Sequence, residues 1–329
     1  MSTTRDLAKG GYYLDSFLAP LAPFLARSDV SDIWINRPGE VWLESLGGGI
    51  ERIEEPALDA PLLERLARQI AAFSSQGISR AQPLLAATLP DGSRVQVAAP
   101  PATRGGHAFA IRRHAAADLS LGDWEKADAF ADMEASGSEM GDERHFHALG
   151  GREAAQHLAR AVRERRNILV AGGTSTGKTT FLNALLAEIP PHERLILIED
   201  TAELHLRQPN AVGLIAARGE LSEARISAED LLIAALRMRP DRIILGELRG
   251  TEAFTFLRAV NTGHPGSMTT IHADTPQRAI EQLALLVLQA GSRLSRDDVR
   301  HYVRESVDVF VQLERRDGRR RVSRILVAE

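Results

Sequence analysis

Residues 167–189 read "NILVAGGTSTGKTTFLNALLAEI", and the order of the parts decides the fold. "NILVAGG" is a short, near-continuous apolar run, the pattern of a strand buried on both faces. A glycine-rich turn follows at once, and "TTFLNALLAEI" reads as a helix. Gly172, Gly177, Lys178 and Thr179 satisfy G-x-x-x-x-G-K-[ST] in the strand–turn–helix context that the pattern requires. Glycines let the backbone wrap a phosphate chain and turn N–H groups inward, and the helix N-terminus adds its positive end. Gly172, Gly173, Thr174, Ser175, Thr176, Gly177, Lys178, Thr179 and Thr180 are therefore the candidate phosphate cradle. Lys178 is expected to reach the β- and γ-phosphates of a nucleoside triphosphate, and the Thr179 hydroxyl to ligate Mg2+. Lysine is otherwise rare here: of 40 Lys and Arg residues, only Lys9, Lys126 and Lys178 are lysines.

Alternation of apolar runs and helices continues downstream. "RLILIED" and "DRIILGE" read as further buried strands. Ser227 with Asp230 forms a capping-box pattern for a helix that stops before Pro240. Thr275 and Pro276 open another helix, closed at Gly291. The expected fold is α/β with a mostly parallel sheet. A Mg-nucleotide site also needs a carboxylate after a second buried strand. "RIILGELRG" (242–250) supplies Glu247, behind Gly246 where an Asp is common. The longer side chain suits orienting the attacking water, or a water in the magnesium shell, better than gripping the metal. "LIEDTAEL" (197–204) adds Glu199, Asp200 and Glu203. Water activation is left open between Glu199 and Glu247. The C-terminal "VDVFVQLERRDGRRRVSRILVAE" reads as a hairpin turning at Asp317-Gly318. Its basic turn reads as solvated, with lipid headgroups or nucleic acid as the sharper alternative.

Upstream the pattern differs. "VSDIWINRPGEVWLES" (30–45) is a hairpin signal, and "APLLERLARQIAAF" (60–73) puts Leu62, Leu63, Leu66, Ala67 and Ile70 on one helical face. "LPDGSRVQVAAPP" and "HAFAIRRH" add strands, so residues 1–117 are expected to form a smaller α+β domain. Residues 118–148 are acidic, carry the weak interior "ASGSEMGDE", and read as a flexible linker with one short helix. The nucleotide domain is expected over 149–329. The 329-residue chain is 44% hydrophobic and 26% charged with net charge −4, which gives no global bias toward nucleic acid or anionic lipid. It has no cysteine, so neither a disulfide framework nor a thiolate zinc site is available. "MSTTRDLAKGG" lacks the apolar run of a signal peptide, and no apolar stretch reaches the ~18–20 residues of a spanning helix. A cytoplasmic protein is expected.

Four stretches, "GGTSTGKTTFLNALL", "IEDTAEL", "LRMRPDRIILGELRG" and "TGHPGSMTTIHAD", occur in the order found in the secretion ATPase superfamily. With "RQPNAV", "DIWINRPGEVWLE" and "LPDGSRVQVAAPP", the chain resembles the type IV secretion traffic ATPases of the Vir type most. The resemblance implies a RecA-like P-loop domain preceded by the α+β domain, ATP and Mg2+ as ligands, and a homohexameric ring. It also implies peripheral placement at the inner membrane through membrane components of a type IV secretion machine. Secreted protein or DNA would be handled only transiently. Arginines of the first domain would reach the phosphates, and the matching candidates are Arg94, Arg112 and Arg113; Arg237, Arg239 and Arg249, in the second domain, are weaker candidates for phosphate or subunit-interface roles. His264 and His272 lack zinc-site spacing. In the resemblance they form a histidine box, with His272 near the γ-phosphate or its water and His264 holding the loop or relaying to a neighbour. Conjugative and pilus-type secretion ATPases, and a ring-shaped nucleic-acid motor, are the alternatives. Many type II and pilus-extension relatives carry a four-cysteine zinc module that this chain cannot build.

Overall fold

The computed structural model describes residues 14–45, 49–113, 119–133, 146–216, 226–316 and 318–328. The described residues up to 113 form one compact unit, and those from 119 onward form a second. The N-terminal "MSTTRDLAKGG" and the linker interior "ASGSEMGDE" lie outside the described residues.

In the first unit, β1 (Val30–Ile35), β2 (Glu40–Ser45), β3 (Ile50–Glu54), β4 (Leu84–Thr88), β5 (Arg94–Ala98) and β6 (Ala108–Arg112) form an antiparallel sheet in the order β3-β2-β1-β6-β5-β4. The "NRPG" hairpin joins β1 to β2 with Ile33 opposite Leu43. Helix α1 (Ala60–Phe73) starts at Asp59, whose side chain accepts the Leu62 amide. Leu63, Leu66, Ala67 and Ile70 of α1 share a core with Ile33, Val41, Val95, Val97, Phe109 and Ile111. Alternation therefore puts Arg94 of β5 and Arg112 of β6 on the face away from that core. They are direct cross-strand neighbours, and Arg112 also pairs with Asp32.

The second unit is built on β7 (Phe146–Ala148), β8 (Ile168–Gly172), β9 (Leu195–Glu199), β10 (Ala211–Ile215), β11 (Arg242–Leu248), β12 (Met268–Ile271), β13 (Val309–Arg316) and β14 (Arg319–Ala328). The order is β10-β9-β11-β12-β8-β13-β14-β7. From β10 to β13 every neighbouring pair is parallel; β14 and β7 add an antiparallel edge. Helices cover both faces: α2 (Leu121–Lys126), α3 (Ala154–Arg163) and α4 (Lys178–Leu186) on one, and α5 (Ala228–Leu236), α6 (Glu252–Asn261), α7 (Pro276–Gln289) and α8 (Arg296–Ser306) on the other. Ile168 and Val170 pack into the first layer, Leu169 and Ala171 into the second, as an apolar strand buried on both sides requires. The expected caps form: Ser227 with Asp230 opens α5, and Thr275 accepts the Arg278 amide at the start of α7.

The edge where the parallel strands begin holds a buried ion pair. Arg242, 0% exposed, donates to both Glu193 oxygens at 2.5 and 2.9 Å and to the Val162 carbonyl at 2.6 Å. Gly266, at φ +79°, leaves room for it: a Cβ there would lie 2.7 Å from Arg242 Nη1.

The expected linker over 118–148 needs correction in its described parts. Ser120 and Asp123 cap α2, and Leu121, Trp124, Phe130 and Met133 are buried. Trp124 and Phe130 meet Phe181 of α4 edge-on, with ring centroids 5.0 and 6.4 Å away. Residues 146–148, also assigned to the linker, are strand β7 paired with β14. The acidic composition hid four large apolar residues at a spacing of multiples of three, enough to dock the segment on α4.

Candidate functional site

In a parallel sheet all strands end along one edge, and ligands bind there. β8 ends in the glycine-rich turn, β12 in His272, β11 in Glu247 and Arg249, and β9 in Glu199 and Asp200. The turn is shaped by left-handed backbone at Ser175 (φ 61°) and Gly177 (φ 93°). Thr176 Oγ1 donates to the Gly173 carbonyl at 2.9 Å and closes it. Thr174 is exposed at its apex, while Thr176 and Thr180 are buried. Lys178 folds back over the loop, donating from Nζ to the Gly172 and Gly173 carbonyls at 2.9 and 3.2 Å. The same Nζ lies 3.4 Å from Glu247 Oε1.

Gly177 is hemmed in as well as twisted. A Cβ there would lie 2.9 Å from Arg320 Cδ and 3.4 Å from Trp124 Cη2. Gly177→Ala is expected to lose about 1–2 kcal/mol of stability from the left-handed backbone alone. Nucleotide affinity should fall with it as the turn opens. Thermal unfolding and a nucleotide titration read the two effects, and an unchanged pair would mean the turn tolerates a side chain.

Glu247 sits among cations. Burial would push its carboxyl up, but Lys178 and Arg249 more than offset this and hold it below the usual carboxylate range. Arg249 grips Glu247 through Nε at 2.6 Å and through Nη2, and reaches Asp200 at 3.3 Å. Glu247 is therefore ionised at neutral pH and aimed by two cations. Thr270 of β12 fixes the neighbouring Gly246 carbonyl with a 2.8 Å bond.

Glu199 and Thr179 both have partners in the acidic loop. Glu199 is 7% exposed, and its Oε2 accepts the backbone amides of Glu203 and Leu204, both at 2.8 Å. Its Oε2 thereby helps to shape the acidic loop. Thr179 Oγ1 donates to Glu203 at 3.0 Å, while Glu247, expected to reach Mg2+ through a water, is held by Lys178 and Arg249. Asn183, buried on α4, ties the same loop down: it donates to the Glu203 carbonyl at 3.0 Å and accepts the His205 amide at 2.9 Å. Thr179 and Glu203 offer the hard oxygen donors that suit Mg2+, which takes one or two protein ligands beside phosphate and water. Among the described residues no cluster of three or more His, Asp or Glu is placed to hold a metal ion without such a co-ligand.

The histidines separate. Ile271 pairs with Ala171, so exposed His272 borders Gly172 at the edge that carries the glycine-rich turn. His264 precedes the same strand and shares a 3.2 Å hydrogen bond, through Nδ1, with the Ala259 carbonyl. Its own carbonyl accepts Ser267 Oγ at 2.8 Å, so it holds the entry to β12 at the opposite edge. Arg237 and Arg239 lie where β11 begins, at the end of the sheet opposite the glycine-rich turn. Within the first unit, Arg113 Nη1 donates to the Arg27 and Val30 carbonyls. Arg94 and Arg112 stay together on the open face of their sheet. The pairing was readable from alternation in "RVQVA" and "AFAIR", with Arg113 out of phase. Asn183, Trp124 and Arg320 carried no motif signal.

The chain matches the family model described as "Type II/IV secretion system protein" over residues 16–318. It is 39% identical over 324 residues to the type IV secretion system protein VirB11 of Bartonella quintana, covering 94% of this chain and 91% of the relative. It is 40% identical over 321 residues to the type IV secretion system protein PtlH of Bordetella pertussis, covering 94% and 93%. Among solved structures, the Legionella pneumophila ATPase DotB superposes with a TM-score of 0.62 at 19% identity, covering 97% of this chain and 81% of that one.

Proposed function

We propose, from the premise that the chain belongs to the type II/IV secretion system protein family, that it is a Mg-dependent ATPase whose RecA-like domain drives type IV secretion as a homohexameric ring. The observation that carries the reading is Lys178: it is nested on the loop carbonyls within 3.4 Å of Glu247, so the phosphate-binding cation and the water-orienting carboxylate already meet. The phosphate chain of ATP takes the place of those carbonyls as partner for Lys178. Glu247, still held by Arg249, then orients the attacking water and accepts its proton. Water activation is thus assigned to Glu247, and Glu199 to the shape of the loop. Thr179 and Glu203 are the residues that would hold Mg2+, which when bound neutralises charge on the phosphate oxygens. His272, beside Gly172, is the proposed sensor of the γ-phosphate. Arg94 and Arg112 are the arginines proposed for the phosphates. Among the described residues no helix is long and apolar enough to cross a membrane. Attachment to the inner membrane is accordingly proposed through membrane components of the secretion machine, with secreted protein or DNA engaged in passing.

Glu247→Gln tests the reading. It keeps the shape and removes the base, so ATP binding should persist while turnover falls by on the order of 10²-fold. The ATP-bound variant should also assemble into particles with the mass of six chains. Unchanged phosphate release would remove Glu247 from its role. Turnover stimulated many-fold by single-stranded DNA would favour a nucleic-acid motor instead.

A further inference from the structure

The basic C-terminal hairpin is not a solvated turn throughout. The last parallel rung between β13 and β8 joins Leu313 to Gly172. Beyond it the hairpin continues alone, pairing Glu314 with Arg321, Arg315 with Arg320 and Arg316 with Arg319. It therefore overhangs the phosphate edge by about three residues, roughly 10 Å. Arg320 lies two residues from Val322, on the same face of β14. Val322 is buried in the core that holds Trp124 and Phe181, the side of the sheet that α4 covers. The approach is close: a Cβ on Gly177 would lie 2.9 Å from Arg320 Cδ and 3.5 Å from its Nε. A cation besides Lys178 thus stands against Gly177 at the N-terminus of α4, an arrangement that an anion stabilises.

Strand order says which part of the ligand it meets. Glu247 and His272 follow β11 and β12, on one side of β8; Arg320 comes from β13 and β14, on the other. The hydrolytic groups gather at the γ-phosphate end, so Arg320 falls at the diphosphate end. We infer that Arg320 is a nucleotide-binding residue, supplied by the hairpin of the same chain, whose guanidinium forks onto oxygens of the α- and β-phosphates. The inference rests on the nucleotide reading of the loop. A contact made to groups that ADP and ATP share is uniform binding: it sets affinity far more than the rate of the chemical step. Arginine suits it because its planar fork can meet two phosphate oxygens at once.

The test measures ADP and ATP affinity, KM and kcat for the full chain and its variants. Arg320→Ala should raise the Kd for ADP and for ATP alike by about tenfold or more, and KM with them, with kcat falling far less. Arg320→Lys should recover part of the affinity, which a purely structural role for the arginine fork would not predict. Arg319→Ala, an exposed neighbour on the same hairpin, should bind as the unmodified chain does. Thermal unfolding without nucleotide separates lost contact from lost fold. Wild-type affinity for ADP in Arg320→Ala overturns the inference, and so does a fall in kcat with affinity intact. Lys178→Ala in the same titration tests the underlying reading separately: if it binds and turns over ATP normally, the loop itself has been misassigned.

Discussion

Lys178→Ala should cut kcat/KM for ATP by on the order of 10³-fold, about 4 kcal/mol of transition-state stabilisation. Three losses coincide at one atom. The β- and γ-phosphates lose their cation. The Gly172 and Gly173 carbonyls lose the donor that gathers the turn. Glu247 loses one of the two charges that keep its carboxyl ionised and aimed. The third loss has its own signature: the carboxyl should rise toward the ordinary range, shifting the acid limb of the residual activity upward in pH. Lys178→Arg should not restore turnover, since a forked guanidinium cannot sit as a point charge on both carbonyls. Steady-state phosphate release measures the effect, with circular dichroism as the check on folding. Retention of even a tenth of the activity would mean that Lys178 is not the phosphate lysine.

The second large effect is on stability, at the far edge of the same sheet. Glu193→Met should cost about 3–5 kcal/mol, because it leaves the buried Arg242 guanidinium without its carboxylate and with no accessible neutral form. Arg242→Met should cost less, about 2–3 kcal/mol, since Glu193 can take up a proton and keeps Arg165 at 3.5 Å. The double variant should recover part of the loss, the mark of a buried pair replaced by packing. The pH dependence separates the two. In the unmodified chain burial pushes the Glu193 carboxyl up, but the bond and charge of Arg242 outweigh it and the net value lies below the ordinary one. A carboxyl lowered in this way stabilises fully above its unfolded value of ~4.3 and loses that contribution as pH falls through the folded one. In Arg242→Met the value is raised instead, so the penalty fades as pH drops and the gap to the unmodified chain narrows below neutrality. In Glu193→Met the gap should stay, because the guanidinium does not titrate. Urea unfolding at several pH values measures both; equal costs with equal pH profiles would sink this account.

The phosphate loop was legible because its chemistry is local: nine consecutive residues carry the turn, the cation and the helix start. The strands ending in Glu199 and Glu247 were legible from their unbroken apolar runs. Which carboxylate does what was not. That depends on where the chain after β9 turns, which sets Glu199 Oε2 on two loop amides and brings Glu203 to Thr179. Trp124 was hidden in an acidic stretch, where composition pointed to solvent and only spacing pointed inward. Arg320 lies far along the chain from Gly177. Only the length of β13 beyond its last rung on β8 brings the two together, and no local pattern encodes that length. Among the arginines, alternation separates Arg113 from Arg94 and Arg112, a distinction that motif matching passed over.

Asn183 gives the acidic loop a mechanical property. Its amide is buried and satisfied on both sides by the Glu203 and His205 backbone, while Thr179, one turn earlier on α4, holds the Glu203 side chain. Sliding the loop over the helix would strand a buried amide, which costs about 1–3 kcal/mol per unsatisfied group before any other contact is counted. Loop and helix are therefore tied together between the glycine-rich turn and the end of β9. On the proposed function, a displacement that begins at the phosphates would carry the acidic loop with the helix, like the output shaft of a gearbox with little backlash.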